Sequence, residues 1–260
     1  MRVLKRFWRG AFSSYGLVVF LALMLALLPL FVYSFFQEEE RGGNFLYKIC
    51  RFWADAFFAL TGLRYRMAGG ELPDRSRAYI FISNHISYLD IPMMMKAIRH
   101  QHVRVLGKTE MTKIPVFGYI YRKGTVLVDR GDASQRLKSV RQLVYFLRRN
   151  ISVFICPEGT FNTTHEPLQR FYDGAFKIAI QTQMPIKPVL FLDTYERLNY
   201  DSIFSLNPGR CRAVFLPETS AEGLTMADLD ALKNKISDQM EEALRFHRAS
   251  WIRYTQPTPD

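Results

Sequence analysis

The stretch FISNHISYLD, Phe81 to Asp90, ends an apolar, β-prone run in Asn84-His85 and places an aspartate five residues after the histidine. A neutral imidazole can take a proton from a poor nucleophile. A carboxylate beside it can fix its tautomer and stabilise the cation that forms. On a regular helix, residues five apart point about 140° away from each other, so His85 and Asp90 cannot share a helical face. They can meet if His85 lies in a strand-to-helix turn and Asp90 in the first helical turn. A second reading needs no chemistry: Ser87-x-x-Asp90 has the form of a capping box, in which Asp90 only closes the helix start. Local sequence leaves both readings open.

A second polar group follows the run ISVFIC. The segment CPEGTFN, Cys156 to Asn162, offers a fixed backbone, a carboxylate (Glu158) and a hydroxyl (Thr160) at a strand end, where ligands bind in open α/β sheets. An ordinary Pro/Gly turn is the plain alternative. A third segment, GKTEMTKIPVFGYIYRKGTVLVDRG, concentrates Lys108, Lys113, Arg122, Lys123 and Arg130 around apolar residues. It is not a P-loop, because the glycine required five residues before Gly107 is His102. A solvated basic face is its default explanation. His100-x-His102 lacks acidic or cysteine companions, and no metal site is expected.

The elements that must position these groups read as short β-branched runs alternating with amphipathic helices. Strands are expected over 78–83, 103–107, 125–129, 151–156, 186–191 and 212–216. The run ASQRLKSVRQLVYFLRRN predicts a helix with Leu137, Val140, Leu143, Val144 and Leu147 on one face. A last helix from Met226 to about His247 opens on a capping-box-like Thr225-x-x-Asp228. Apolar strands separated by helices imply an α/β fold with a mostly parallel sheet and flanking helices.

The N-terminus differs. From Ala11 to Phe36 there is no charged residue, long enough for a membrane-crossing helix, with Arg2, Lys5, Arg6 and Arg9 before it. The run is too long, and Phe31, Tyr33, Phe35 and Phe36 too bulky, for a cleaved signal peptide. A second apolar stretch, Asn44 to Leu63, carries Lys48, Arg51 and Asp55 and reads as an interfacial or returning helix. Arg64 and Arg66 after it favour the cytoplasmic face. The expected organisation is a membrane-embedded helical hairpin over 1–68, with Pro29 a candidate kink, and an α/β domain over 69–260. The formal net charge of +11 suits an anionic bilayer or acidic ligands. A nucleic-acid partner is not expected, since the uncharged span has no place in such a binder. Three scattered cysteines without a CxxC pattern argue against a disulfide framework or zinc site.

Taken in order, NHxxxxD, a Lys-x-Glu…Pro-x-x-Gly block ending in VDR, then PEGT, then a Pro-x-x-Pro-Val strand resemble the glycerolipid acyltransferase superfamily. Within it they are most similar to the 1-acyl-sn-glycerol-3-phosphate acyltransferases. The resemblance spans about Ala78 to Phe191, and the apolar hairpin matches the bacterial members. It implies that His85 is the catalytic base and Asp90 the residue that orients it. Lys108, Glu110, Pro115, Gly118 and Arg130 match the second block. Glu158, Gly159 and Thr160 match the acceptor-binding third block, and Pro185, Pro188 and Val189 a structural or acyl-related fourth.

The implied reaction moves a fatty acyl group from an acyl thioester, acyl-CoA or acyl carrier protein, to the sn-2 hydroxyl of lysophosphatidic acid. It needs no cofactor beyond that donor substrate. The enzyme would sit in the membrane, its catalytic domain on the cytoplasmic face (the inner membrane in a bacterium). Two departures bear on the acceptor: the third block usually reads EGTR, but here Phe161 follows Thr160, and Tyr172 replaces a common lysine. Arg130, Lys108, Arg170 and Lys177 are the cations left to compensate. A lyso-aminolipid or other lysophospholipid is therefore the alternative acceptor. A non-catalytic membrane-bound lipid-binding protein is the rival from another class, although a scaffold has no use for an oriented base.

Overall fold

A computed structural model describes residues 2–114, 117–129 and 131–253, with side chains from residue 8 onward. Its centre is a seven-stranded sheet among the described residues: β1 (Leu63–Gly69), β2 (Ile80–Ile82), β3 (Val103–Lys108), β4 (Thr125–Val128), β5 (Ser152–Ile155), β6 (Ile186–Phe191) and β7 (Gly209–Phe215). The spatial order is β1-β7-β6-β2-β5-β3-β4, and every neighbouring pair is parallel except β6 with β7. The mostly parallel α/β sheet expected from the apolar runs is thus present. β2 and β5 are buried throughout because both sheet faces are covered, which is why they read as unbroken apolar runs.

The helices are α1 (Arg2–Ala26), α2 (Leu28–Phe35), α3 (Glu39–Leu60), α4 (Asp90–Ala97), α5 (Phe117–Gly124), α6 (Ala133–Leu147), α7 (Gly174–Thr182), α8 (Thr194–Arg197) and α9 (Leu229–Phe246). One face of the sheet packs on α6, α7 and α9 through Leu143, Phe146, Phe176, Ile236 and Met240. The expected stripe of α6 is present except at its start. Leu143 and Leu147 are buried, whereas Leu137 stays exposed, and Phe146 joins the core. Ahead of α9 a single 3₁₀ turn carries the complete Thr225/Asp228 capping box.

The N-terminal helices cover the other face. Phe31, Leu46, Phe57 and Phe58 share one core with Phe81, Met93, Met94 and Phe215. The boundary expected after residue 68 therefore falls inside β1, which pairs with β7 from Leu63 onward. Sequence reading took Arg64 and Arg66 as flanks of a membrane helix, because an edge strand that alternates charge with Leu63 and Tyr65 has no apolar run. α3 lies between α1 and the sheet, so its charges meet protein: Asp55 pairs with Lys96 and Arg99, and Arg51 donates to the Gln101 carbonyl.

Of the described helices, one segment, Trp8–Ala26, is long and apolar enough to cross a membrane. Its outer face presents Leu17, Val18, Leu21 and Leu25. The helix breaks at Leu27, just before Pro29 in the first turn of α2, where proline has no N–H to continue the ladder.

Candidate active site

In a parallel sheet the carboxyl ends of the strands share one side, so the residues that follow β2, β5, β3 and β6 converge there. His85 follows β2 and Glu158 follows the adjacent β5. Lys108 ends β3, two strands from β2 and hence on the order of 10 Å away across the sheet.

His85 Nδ1 lies 2.9 Å from Asp90 Oδ2. A carboxylate can only accept, so Nδ1–H donates, which in the neutral imidazole leaves the Nε2 lone pair free. Nε2 has no partner among the described residues, and the side chain retains 23% exposure. The chain bends back after His85 because Asp90 gathers the turn. Its Oδ2 also accepts the backbone N–H groups of Ile86 (2.7 Å) and Ser87 (2.9 Å), while Ser87 Oγ accepts the N–H of Leu89 (2.9 Å). The Ser87/Asp90 bonds close a turn just ahead of α4, whose N-cap is Leu89 without a side-chain cap, and that turn brings Asp90 to the imidazole. Asp90 is fully buried, and its Oδ1 accepts from Thr194 Oγ1 at 2.8 Å.

The Glu158 carboxyl is buried behind the histidine. Oε1 accepts the backbone N–H of His85 at 2.9 Å, and Oε2 that of Gln169 at 2.8 Å. Burial pushes this carboxyl up to about 8. The N–H donors of Gln169 and His85 oppose the rise, and the nearby Asp90 carboxylate adds to it. Gly159 takes φ +74° and donates its N–H to the Cys156 carbonyl, a turn that a side chain would strain. Thr160 is exposed beside it.

Phe161 packs on the histidine itself, its ring centroid 4.4 Å from that of His85, with Tyr88 at 5.0 Å and Tyr200 at 6.1 Å from Phe161. Of the cations expected to compensate for it, Lys108 and Arg170 are exposed. Lys177 pairs with Asp173 at 3.3 Å. Arg130 and Pro115 lie outside the described residues. In the second block Gly118 is held by contact: a Cβ there would meet the Thr112 carbonyl, and its own N–H donates to Ile114 at 2.7 Å. In the fourth block, the Pro185 carbonyl accepts the N–H of Ile80 and Val189 is fully buried.

Sequence reasoning missed Thr194 and Asn84. The Asn84 side chain is fully buried and pairs with both the N–H and the carbonyl of Phe191, which locks the end of β2 to β6. Asn84 adjoins the histidine in the quoted motif, and that was its signal. Thr194 had none, because 104 residues separate it from its partner.

The acyltransferase domain family matches residues 64–192. The human 1-acyl-sn-glycerol-3-phosphate acyltransferase alpha is 30% identical over 245 residues, 93% of this chain and 82% of that protein. The mouse protein of the same name is 31% identical over 185 residues, 70% of this chain and 64% of its own length. The crystal structure of the 1-acyl-sn-glycerophosphate (LPA) acyltransferase PlsC from Thermotoga maritima matches with a TM-score of 0.75. That match covers 98% of this chain and 100% of the other at 18% identity, and so establishes the fold. The sheet, the ordered motifs and a relative aligned over nearly the whole chain agree, and the chain belongs to the 1-acyl-sn-glycerol-3-phosphate acyltransferase family.

Proposed function

We propose that this enzyme transfers a fatty acyl group from an acyl thioester to the sn-2 hydroxyl of lysophosphatidic acid, giving phosphatidic acid for phospholipid synthesis. The observation that carries the chemistry is the His85–Asp90 pair at 2.9 Å with Nε2 open. His85 Nε2 takes the hydroxyl proton as the oxygen attacks the thioester carbonyl. The C–O bond forms, the tetrahedral intermediate collapses with C–S cleavage, and the departing thiolate receives the proton from the imidazolium. Such general-base help is worth ~10²–10⁴ in rate. No cysteine or serine nucleophile is required, so transfer is direct.

Candidates to stabilise the oxyanion are Lys108 and the backbone N–H groups of Thr160 and Phe161, which make no hydrogen bond among the described residues. The reaction as written needs no metal or cofactor, and acyl-CoA or acyl carrier protein would serve as donor. The names of the relatives support the acceptor. The exposed apolar face of α1, the basic residues before it and the net charge of +11 support a membrane location with the catalytic domain on the cytoplasmic face.

One observation favours a second acceptor. Phe161 occupies the position on His85 where the resemblance leads one to expect a guanidinium, which suits a lyso-aminolipid without a phosphate monoester. A labelled acyl thioester offered to the purified protein with a panel of lyso-acceptors, beside His85→Ala, tests both. Transfer to lysophosphatidic acid is expected, with near-complete loss in the variant. Transfer only to phosphate-free acceptors would replace the first acceptor by the second, and an unchanged His85→Ala rate would sink the mechanism.

A further inference from the structure

At the edge of the sheet, at the same end as His85 because β7 runs antiparallel to β6, four arginines line one hollow. Arg64 and Arg66 on β1 stand in register with Arg210 and Arg212 on β7, and Met67 and Ala68 complete the lining. Adjacent strands are about 4.8 Å apart and alternate residues about 6.7 Å apart, so four guanidinium groups rise from one small lattice. Like charges directly opposite each other on a sheet are destabilising. Only Arg212 is neutralised, by a fork to Asp193 with a further bond to the His247 carbonyl. Arg64, Arg66 and Arg210 are exposed and make no ion pair or hydrogen bond among the described residues, and no acidic side chain lines the hollow.

Charge on an edge strand commonly serves to block edge-to-edge pairing. That accounts for Arg64 and Arg66 but not for Arg210, because β7 is flanked by β1 and β6. The repeated, unpaired positive charge points instead to an anionic ligand. Its position says which one. β1 starts just after α3 ends at the exposed Leu60, whose carbonyl accepts from Tyr15 Oη of α1 at 3.0 Å. Ser13 of α1 donates to Leu206, just before β7. The N-terminal ends of β1 and β7 are therefore level with the first part of α1, while the arginines rise from the sheet face opposite the N-terminal helices. For a helix that enters the bilayer there, this is the depth of the lipid headgroups.

We propose that Arg64, Arg66 and Arg210 form a binding site for the phosphate of an anionic phospholipid headgroup, which seats the sheet edge on the membrane surface. The guanidinium fork matches phosphate oxygens bidentately. The site rests on the reading that α1 anchors the chain in a bilayer.

The test uses the full chain in detergent micelles doped with equal amounts of phosphatidylglycerol and phosphatidylcholine, with the retained lipid extracted and counted. Wild type is expected to retain phosphatidylglycerol preferentially. Each arginine near an anionic surface is worth about fivefold, so R64Q/R66Q/R210Q is expected to lose that preference by on the order of a hundredfold at low salt. The three single variants, at about fivefold each, carry the test if the triple variant is unstable. K138Q/R141Q/R148Q removes equal charge from α6 and its C-cap and is expected to change nothing. Unchanged preference in the β1/β7 variant, or an equal loss in the α6 variant, overturns the site. Unchanged preference joined to a raised KM for the thioester reassigns the hollow to the donor's phosphates. Release of wild-type protein from membranes by alkaline carbonate would instead overturn the anchoring reading, and neither result touches the His85 chemistry.

Discussion

Glu158 accepts the backbone N–H of His85 at 2.9 Å from 73 residues downstream, and its other oxygen is committed to Gln169. The resemblance assigns this position to acceptor binding. With 2% of the residue exposed and both oxygens occupied, the carboxyl is built to hold the turn that carries His85. Glu158→Gln puts an NH2 group against one of the two N–H donors. The expected outcome is a fall in kcat with little change in the acceptor KM, read from steady-state rates across acceptor concentrations. A raised KM at constant kcat would return Glu158 to the acceptor.

The same carboxyl gives a pH dependence. Its folded value, about 8, lies above its ordinary value of 4.5, so the folded state holds the extra proton between the two. Stability from this group is complete below about 4.5 and is lost as pH rises through 8, with a slope up to about 1.4 kcal/mol per pH unit. Thermal unfolding from pH 5 to 8.5 should show wild type falling in Tm, and Glu158→Gln following a flatter line.

Thr194→Val tests the far side of the dyad. It keeps the shape of the side chain and leaves Asp90 Oδ1 buried without its donor, at a cost of about 1–3 kcal/mol. Acyl transfer should fall and thermal stability with it, whereas Thr194→Ser should recover most of both. Asp90→Asn removes the negative charge that favours the imidazolium, and is expected to lose on the order of 10²–10⁴ in kcat.

Phe161→Arg addresses the acceptor. A guanidinium there would add a charge-assisted bond to a phosphate monoester and break the ring contact with His85. kcat/KM for lysophosphatidic acid, relative to a phosphate-free lyso-acceptor, should rise roughly tenfold or more. A ratio that stays constant would mean that Phe161 does not face the headgroup.

Gly43→Ala probes how the N-terminal helices are fastened to the sheet. Arg104 of β3 is buried, donates to Asn44 Oδ1 (3.0 Å) and the Glu40 carbonyl (3.1 Å) of α3, and lies 4.9 Å from the Phe146 ring. A Cβ at Gly43 would fall inside the Arg104 guanidinium. Overpacking of this kind costs about 1–3 kcal/mol, so Tm should drop while kcat at low temperature stays near wild type.

The parts whose physics is local were readable along the chain. Apolar runs buried on both faces became β2, β5 and β6, the Thr225/Asp228 box capped the last helix, and Ser87-x-x-Asp90 fixed the six-residue turn from His85 to Asp90. Within that turn His85 and Asp90 can meet without help from the rest of the chain, so the dyad was legible. Tertiary structure alone decided what depends on strand order. β1 hid its pairing because an edge strand with arginines on its open face has no apolar signature, and its partner lies some 146 residues away. Thr194 and Glu158 reach the dyad only because β6 and β5 flank β2, a neighbourhood that no spacing encodes. The same order placed Arg210 beside Arg64, and it set Phe161 on the histidine.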